Sequence, residues 1–456
     1  MMQRWRGLVA GLSANAIALY GAAQPQDVPV AVVATVVIVY GGLVVREAYA
    51  PWVSTRALSP ALLIALLTLV FYVVCPWIFL LTGPLNQAPR VWYDQWISYN
   101  GSHAEYLLLQ FSALFLFVST LGRAPRSGRN AFAIPEDAAV RRTAIRVSLA
   151  LAVAATLFKT VDAYGVLPSG IPFTGLIWTA AAPLTFFGLS VAVLYASVDT
   201  DRVFLSVVAA ASACIAPNLL IDIARLPISL ILFLVLGVLV VRKFPHRRLI
   251  MGGLTFVIVI VALTAASATY RNLQHHNSEP LSKIFVSKIA SKVLLRQTIS
   301  AWCLEQARQE HWNAEPVGSY INLLAGLVPR AIWPDKPDLS RGSYYAVRYC
   351  KERVEPNNPH SEALTLLAEP IIERGREGHF AGEALIVAFI AIATIGMFRT
   401  GSVGIATGTA MLPWLTGVEQ HLSYYLATCV KMFLFMLPFA LILHWYVRRA
   451  ERKARL

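Results

Sequence analysis

Long apolar runs, separated by short polar breaks, recur along the chain from Leu8 to Tyr446. A bilayer core about 30 Å thick is crossed by roughly 20 helical residues. On that measure the pattern predicts about twelve spans, near residues 7–23, 28–45, 59–82, 104–122, 147–166, 172–197, 203–221, 226–242, 249–268, 384–398, 402–418 and 422–447. Between the ninth and tenth spans the pattern changes, and residues 269–383 mix polar, charged and apolar positions. Three regions follow: residues 1–268 with spans one to nine, a large extramembrane loop over 269–383, and residues 384–456 with the last three spans and a basic tail. The expected fold is an all-α polytopic integral membrane protein.

Inside the loop, Ser278-Glu279-Pro280 has the form of a helix start, with proline near the first turn. Leu281, Phe285, Ile289 and Val293 then recur every fourth residue, and Lys288, Lys292 and Arg296 recur on another face. This predicts an amphipathic helix with a basic stripe. It is suited to the membrane surface, and equally to a solvated face. A loop of this length with its own helical pattern is usually functional.

Composition strengthens the membrane reading. Hydrophobic residues make up 57% of the 456 residues and charged residues 14%, with a mean hydropathy of +0.59. An average soluble domain is about 25% charged. The formal net charge is +14, but no nucleic-acid-binding motif accompanies it, so nucleic acid is not an expected partner. Basic residues instead set orientation, because Lys and Arg in short loops stay cytoplasmic. Arg4 and Arg6 precede the first span, and Arg123, Arg126, Arg129, Arg141, Arg142 and Arg146 follow the fourth. Arg242, Lys243, Arg247 and Arg248 follow the eighth, and Arg448, Arg449, Arg452, Lys453 and Arg455 close the chain. With twelve spans, these clusters and both termini share the cytoplasmic face. The first apolar run is expected to remain as a helix rather than to be cleaved as a signal. The loop over 269–383 then lies outside.

Five cysteines are present. Cys75, Cys214 and Cys429 fall in apolar runs and read as small core residues. Cys303 and Cys350 share the large loop. They either pair, if it faces an oxidising compartment, or remain as two thiols. Asp199-Thr200-Asp201 has the form of a metal-binding acidic pair but falls in a short cytoplasmic loop, where a polar turn is the simpler reading. No His or Cys spacing suggests zinc, no glycine-rich loop suggests ATP, and no cofactor is expected.

The candidate chemistry concentrates in Pro329-Arg330-Ala331-Ile332-Trp333-Pro334-Asp335-Lys336-Pro337. These prolines exclude a regular helix and stiffen a turn, holding Arg330, Trp333 and Lys336 close together. A guanidinium grips phosphate with two donors, and an ammonium adds a point charge. Trp333 offers a face for a sugar or an anchor at the membrane interface.

This stretch resembles the Pro-Arg-x-x-Trp-Pro-x-Lys-Pro segment of bacterial Wzy-type oligosaccharide repeat-unit polymerases, which make O-antigen and exopolysaccharide. The likeness covers about ten residues and the general layout of many spans, one large late periplasmic loop and a few closing spans. It implies a membrane glycosyltransferase of the GT-C type in the bacterial inner membrane. Such enzymes join undecaprenyl-diphosphate-linked oligosaccharides at the periplasmic face, with the same lipid-linked compound as donor and acceptor. A chain-length regulator and a flippase are the protein partners the resemblance suggests.

That reaction needs cations to receive the departing diphosphate and a base for the acceptor hydroxyl. The candidate cations are Arg330 first, then Arg271, Lys336, Arg341 and Arg225. The candidate bases are His360 and Glu362 in Asn358-Pro359-His360-Ser361-Glu362, with Glu369 as a further acidic position. Asp222 and Arg225 either pair with each other or line the diphosphate site, and Lys159, Asp162, Glu419 and Lys431 carry the same ambiguity. Two rival functions remain: an O-antigen ligase, which shares the layout and the donor, and a lipid-linked oligosaccharide flippase or other transporter, which twelve spans also suit. A transporter generally shows internal repeats and a midplane site. No repeat is visible here, and about a quarter of the chain is one loop.

Overall fold

The computed structural model describes residues 60–69, 134–135, 137–163, 174–222, 296–311, 325–328, 333, 335, 347–350, 365–417 and 420–453. Among these residues the structure is helical. The helices are α1 (Pro60–Leu69), α2 (Ala138–Ala163), α3 (Thr174–Ala196), α4 (Asp201–Asp222), α5 (Arg296–His311), α6 (Ala368–Arg399), α7 (Gly401–Leu415) and α8 (Leu422–Lys453). The expected spans at 7–23, 28–45, 104–122, 226–242 and 249–268 lie outside the described residues, as does the basic-striped segment 281–295.

Among the described residues, four stretches are long and apolar enough to cross a membrane: Ala138–Ala163, Gly175–Ala196, Ala368–Met397 and Leu422–Ala450. Their surfaces suit lipid. Ile392 is 71% exposed, and Leu157, Leu434, Leu441, Ile442 and Trp445 also turn large apolar side chains outward. Polar side chains turn inward instead. Thr156 meets Thr185 at 3.3 Å, Tyr195 meets Ser402 at 2.9 Å, and Lys159 donates to Asn218 at 3.2 Å, all buried. A soluble bundle has the opposite distribution, whereas membrane bundles use buried polar pairs between helices. The protein is therefore a helical protein built for the membrane.

Small residues let these helices approach closely. A Cβ at Gly188 of α3 would collide with the Ser148 carbonyl oxygen of α2 and lie 3.0 Å from the Ala152 Cβ. One at Gly408 of α7 would collide with the Met397 side chain of α6, 2.5 Å from its sulfur. Pro183, Pro217, Pro413 and Pro438 sit inside helices, which membrane bundles tolerate because neighbouring groups satisfy the freed carbonyls.

The side-chain contacts also fix which helix ends lie together. Tyr195, near the end of α3, bonds Ser402 at the start of α7. Phe186, further back on α3, packs on Trp414 near the end of α7, ring centroids 5.1 Å apart. The two helices therefore run antiparallel. Arg142, in the first turns of α2, pairs with Asp199 in the α3–α4 turn at 3.7 Å. The start of α2, the end of α3 and the α6–α7 junction thus share one end of the bundle. We call it the basic end, because Arg141, Arg142 and Arg146 lie there. Since α7 and α8 are joined by a short turn, Arg448, Arg449, Arg452 and Lys453 close α8 at that end as well.

Two helices begin earlier than the apolar pattern suggests. The helix carrying the 147–166 run starts at Ala138, where the Asp137 carboxylate accepts from the Ala139 N–H at 2.7 Å and caps the first turn. The one carrying 384–398 starts at Ala368. Its early residues are polar yet buried against neighbours, and hydropathy alone does not register that.

Candidate functional site

Among the described residues of the large loop, α5 carries the covalent link. Cys303 on α5 and Cys350 form a disulfide, with Cα atoms 4.9 Å apart and 47 residues of sequence separation. Leu304, Ala307, Tyr349, Leu366, Leu367 and Ile371 are buried in the same core, and α5 packs against α6. Polar clasps fix this unit. Glu305 is buried and accepts from Arg308 Nε at 3.2 Å and Nη2 at 2.6 Å, and from Gln309 Nε2 at 3.1 Å. At the exposed edge, Arg348 pairs with Glu310 at 3.5 Å and lies 5.6 Å from the Tyr349 ring centroid.

The disulfide closes a segment that contains the whole 329–337 stretch. Ala325, ahead of this stretch, is fully buried, and Trp333 within it is 40% exposed. Asp335 beside it is exposed. Arg330, Lys336 and Arg341 belong to this closed segment by sequence but lie outside the described residues. So do Arg225, Arg271, His360 and Glu362. Trp333 is thus the candidate site residue whose environment the structure gives.

The segment leaves the loop through Thr365, which has φ 102°. A β-branched residue in that region is strained, and such strain persists where the surroundings over-determine it. The chain then enters α6, which is two arms joined at Gly375 (φ 58°, ψ −136°). The short arm, 368–374, folds back on the beginning of the long arm, 376–399. Pro370 lies against Gly378 and Gly382, and a Cβ at either glycine would collide with it. A re-entrant element of this kind is tolerated at a membrane when packed protein covers its backbone.

This hairpin gathers buried polar side chains. Glu369 accepts from the Ser423 backbone N–H and from its hydroxyl, each at 2.7 Å. Glu373 and His421 are buried too. His379 is fully buried, with Nε2 4.0 Å from Glu383 Oε2. These groups belong to the end of the bundle opposite the basic end, where α8 begins.

Another buried cluster lies towards the same end. Lys159, in the last turns of α2, is 4% exposed, donates to Asn218 Oδ1 at 3.2 Å, and stands 5.4 Å from the Trp178 ring centroid. Asn218 in turn donates to the Cys214 carbonyl at 2.9 Å and to Thr156 Oγ1 at 3.5 Å. The ammonium is therefore held by an amide oxygen and an aromatic face. The Asp222 side chain lies outside the described residues. Asp199 is engaged at the basic end, with Oδ1 on the Thr200 N–H at 2.8 Å and Oδ2 on Arg142. Asp201 opens α4. That arrangement is a polar turn leading into a helix.

The sequence reading missed the His379–Glu383 pair and the role of Asn218. The first had a signal, a histidine and a glutamate four apart on one helix face. The second had none, because Asn218 and Lys159 meet only through packing. Compared with known protein families, curated proteins and solved structures, the chain matches none.

Proposed function

We propose that the protein is a polymerase that joins undecaprenyl-diphosphate-linked oligosaccharide units by glycosyl transfer at the outer face of the bacterial inner membrane. It works within a bundle of about twelve spans of GT-C type, with both termini in the cytoplasm. The observation that carries this reading is the proline-braced Arg330–Trp333–Lys336 stretch inside the segment closed by Cys303–Cys350, with Trp333 exposed. A disulfide belongs in an oxidising compartment, which suits an outer location for that segment. An exposed indole within a disulfide-closed segment suits stacking on a sugar ring.

In this reading Arg330 receives the charge that develops on the departing lipid diphosphate, with Lys336, Arg341, Arg271 and Arg225 as further cations. His360 or Glu362 accepts the proton of the attacking hydroxyl. Glu369 is a poor choice for that proton, because both its oxygens already accept bonds from Ser423.

The test is a membrane assay with a purified lipid-linked repeat unit, scored for a ladder of polymer. Wild-type protein extends the chain. Arg330→Ala abolishes extension while the protein still accumulates in the membrane, and normal-length polymer from that variant overturns the assignment. Envelope glycans separate a polymerase from a ligase: loss of a polymerase leaves single repeat units on the lipid core, and loss of a ligase leaves none.

A further inference from the structure

From the basic end inwards, α6, α7 and α8 together with Pro60 of α1 line a half-open cavity of about 450 Å³, with the exposed side chains of Ile392 and Leu441 among its lining. Its wall is hydrocarbon and small residues, among them Phe389, Ala393, Gly396, Gly408, Phe433 and Leu437. The hydroxyls that line it are already occupied. Thr400 donates to the Gly396 carbonyl and Thr407 to the Val403 carbonyl, each at 2.8 Å. The cavity therefore has almost nothing to offer a polar ligand. Its size falls within the ~300–1,000 Å³ typical of small-ligand pockets.

The cavity ends differently on its two sides. Towards the outer site, Tyr425 is fully buried with its hydroxyl on the Leu415 carbonyl at 2.8 Å. Both Leu415 and the nearby Cys429 belong to the lining, so this tyrosine stands between the cavity and the Glu369–Ser423 contact. On the other side the lining reaches Thr400 and His444. Arg448 follows His444 by one helical turn on α8 and is exposed, and Arg449 stands 5.2 Å from the Trp445 ring centroid. From Phe389 to Thr400 the α6 wall is ~16 Å long at the rise of an α-helix, about half of a ~30 Å hydrocarbon core.

We propose that this cavity holds one acyl chain of an anionic phospholipid from the leaflet at the basic end, with the lipid phosphate at Arg448. Charge complementarity selects the lipid. The apolar wall takes a chain, and Arg448, one helical turn beyond the lining residue His444, takes the phosphate, as basic pockets between membrane helices do. This site is independent of the glycosyl-transfer reading and lies at the opposite end of the bundle.

The experiment uses the full-length protein in nanodiscs of defined composition, either phosphatidylglycerol mixed with phosphatidylcholine or phosphatidylcholine alone. After detergent extraction and washing, retained lipid is identified by mass spectrometry. Wild-type protein retains phosphatidylglycerol in preference to phosphatidylcholine. Arg448→Gln, an exposed position, lowers that preference about fivefold, the effect expected of one basic residue near a membrane surface. Ala393→Phe fills the cavity and removes retained lipid of both kinds, with an unchanged gel-filtration profile as the check on folding. Equal retention of the two lipids by wild type, or the same preference in Arg448→Gln, overturns the proposal whether or not Ala393→Phe folds. So does recovery of an isoprenoid diphosphate in place of phospholipid from native membranes.

Discussion

Glu369 and Ser423, 54 residues apart, are joined by two short hydrogen bonds, one from the serine N–H and one from its hydroxyl. The contact pins the short arm of α6 to the first turn of α8. It also settles the N-terminus of α8, where the Ser423 N–H would otherwise lack an intrahelical partner. Bonds to a charged acceptor are worth about 1.5–3 kcal/mol each when buried partners lose them. Glu369→Gln keeps the shape and removes the charge. It should lower unfolding stability in detergent by a comparable amount, and Ser423→Ala by less, since the backbone bond survives. A Glu369→Gln protein as stable as wild type but inactive in polymer extension would instead place this carboxylate in the chemistry.

The α6 hairpin makes a sharper claim about glycine. At Gly382 an added methyl meets the Pro370 ring, whereas at Gly396 it meets nothing within 4 Å. Overpacking of this kind costs about 1–3 kcal/mol, and glycine in an open helical position is worse than alanine by up to ~1 kcal/mol. Gly382→Ala should therefore destabilise the protein and Gly396→Ala should leave it unchanged or slightly stabilised. Thermal unfolding of the two variants side by side decides it, and equal midpoints would mean that the arms do not pack as described.

Tyr195 and Ser402 offer a measurement of the bundle itself. Interhelical side-chain hydrogen bonds in membrane proteins average about 0.6 kcal/mol in double-mutant cycles. The cycle Tyr195→Phe, Ser402→Ala and the double variant should return a coupling of that order. A coupling of zero would mean that the end of α3 and the start of α7 do not meet through this pair.

The apolar runs made the membrane class and several helices legible, because a span announces itself by length and hydropathy alone. The start of α6 was not legible. Glu369, Glu373, His379 and Glu383 look like loop residues until packing buries them. The reversal at Gly375 depends on Pro370 meeting two glycines, and neither hydropathy nor helix periodicity encodes that contact. The candidate site was legible as chemistry rather than as geometry. The prolines around Trp333 signalled a stiff, cationic turn, but the disulfide that closes its segment was one of two readings of Cys303 and Cys350. Which one holds depends on a Cα separation of 4.9 Å that spacing cannot supply.

That disulfide gives the most direct test of sidedness. If residues 303–350 lie outside, Cys303 and Cys350 are oxidised in the cell. A thiol-reactive polymer added to denatured protein then shifts two more cysteines after reduction than before. Cys303→Ser should leave a thiol at the buried Cys350 that the reagent reaches without reduction once the protein is denatured, and cost about 4 kcal/mol, the chain-entropy value for a loop closed over 47 residues. In a background lacking other reactive cysteines, Asn357→Cys should be labelled by an impermeant maleimide in intact cells, and Arg126→Cys only after permeabilisation. The pairing and the labelling must agree, because both report the side on which the loop lies. Reduced cysteines together with labelling at position 126 from outside would invert the bundle. The cationic turn would then face the cytoplasm, where a polymerase of the proposed kind has no use for it.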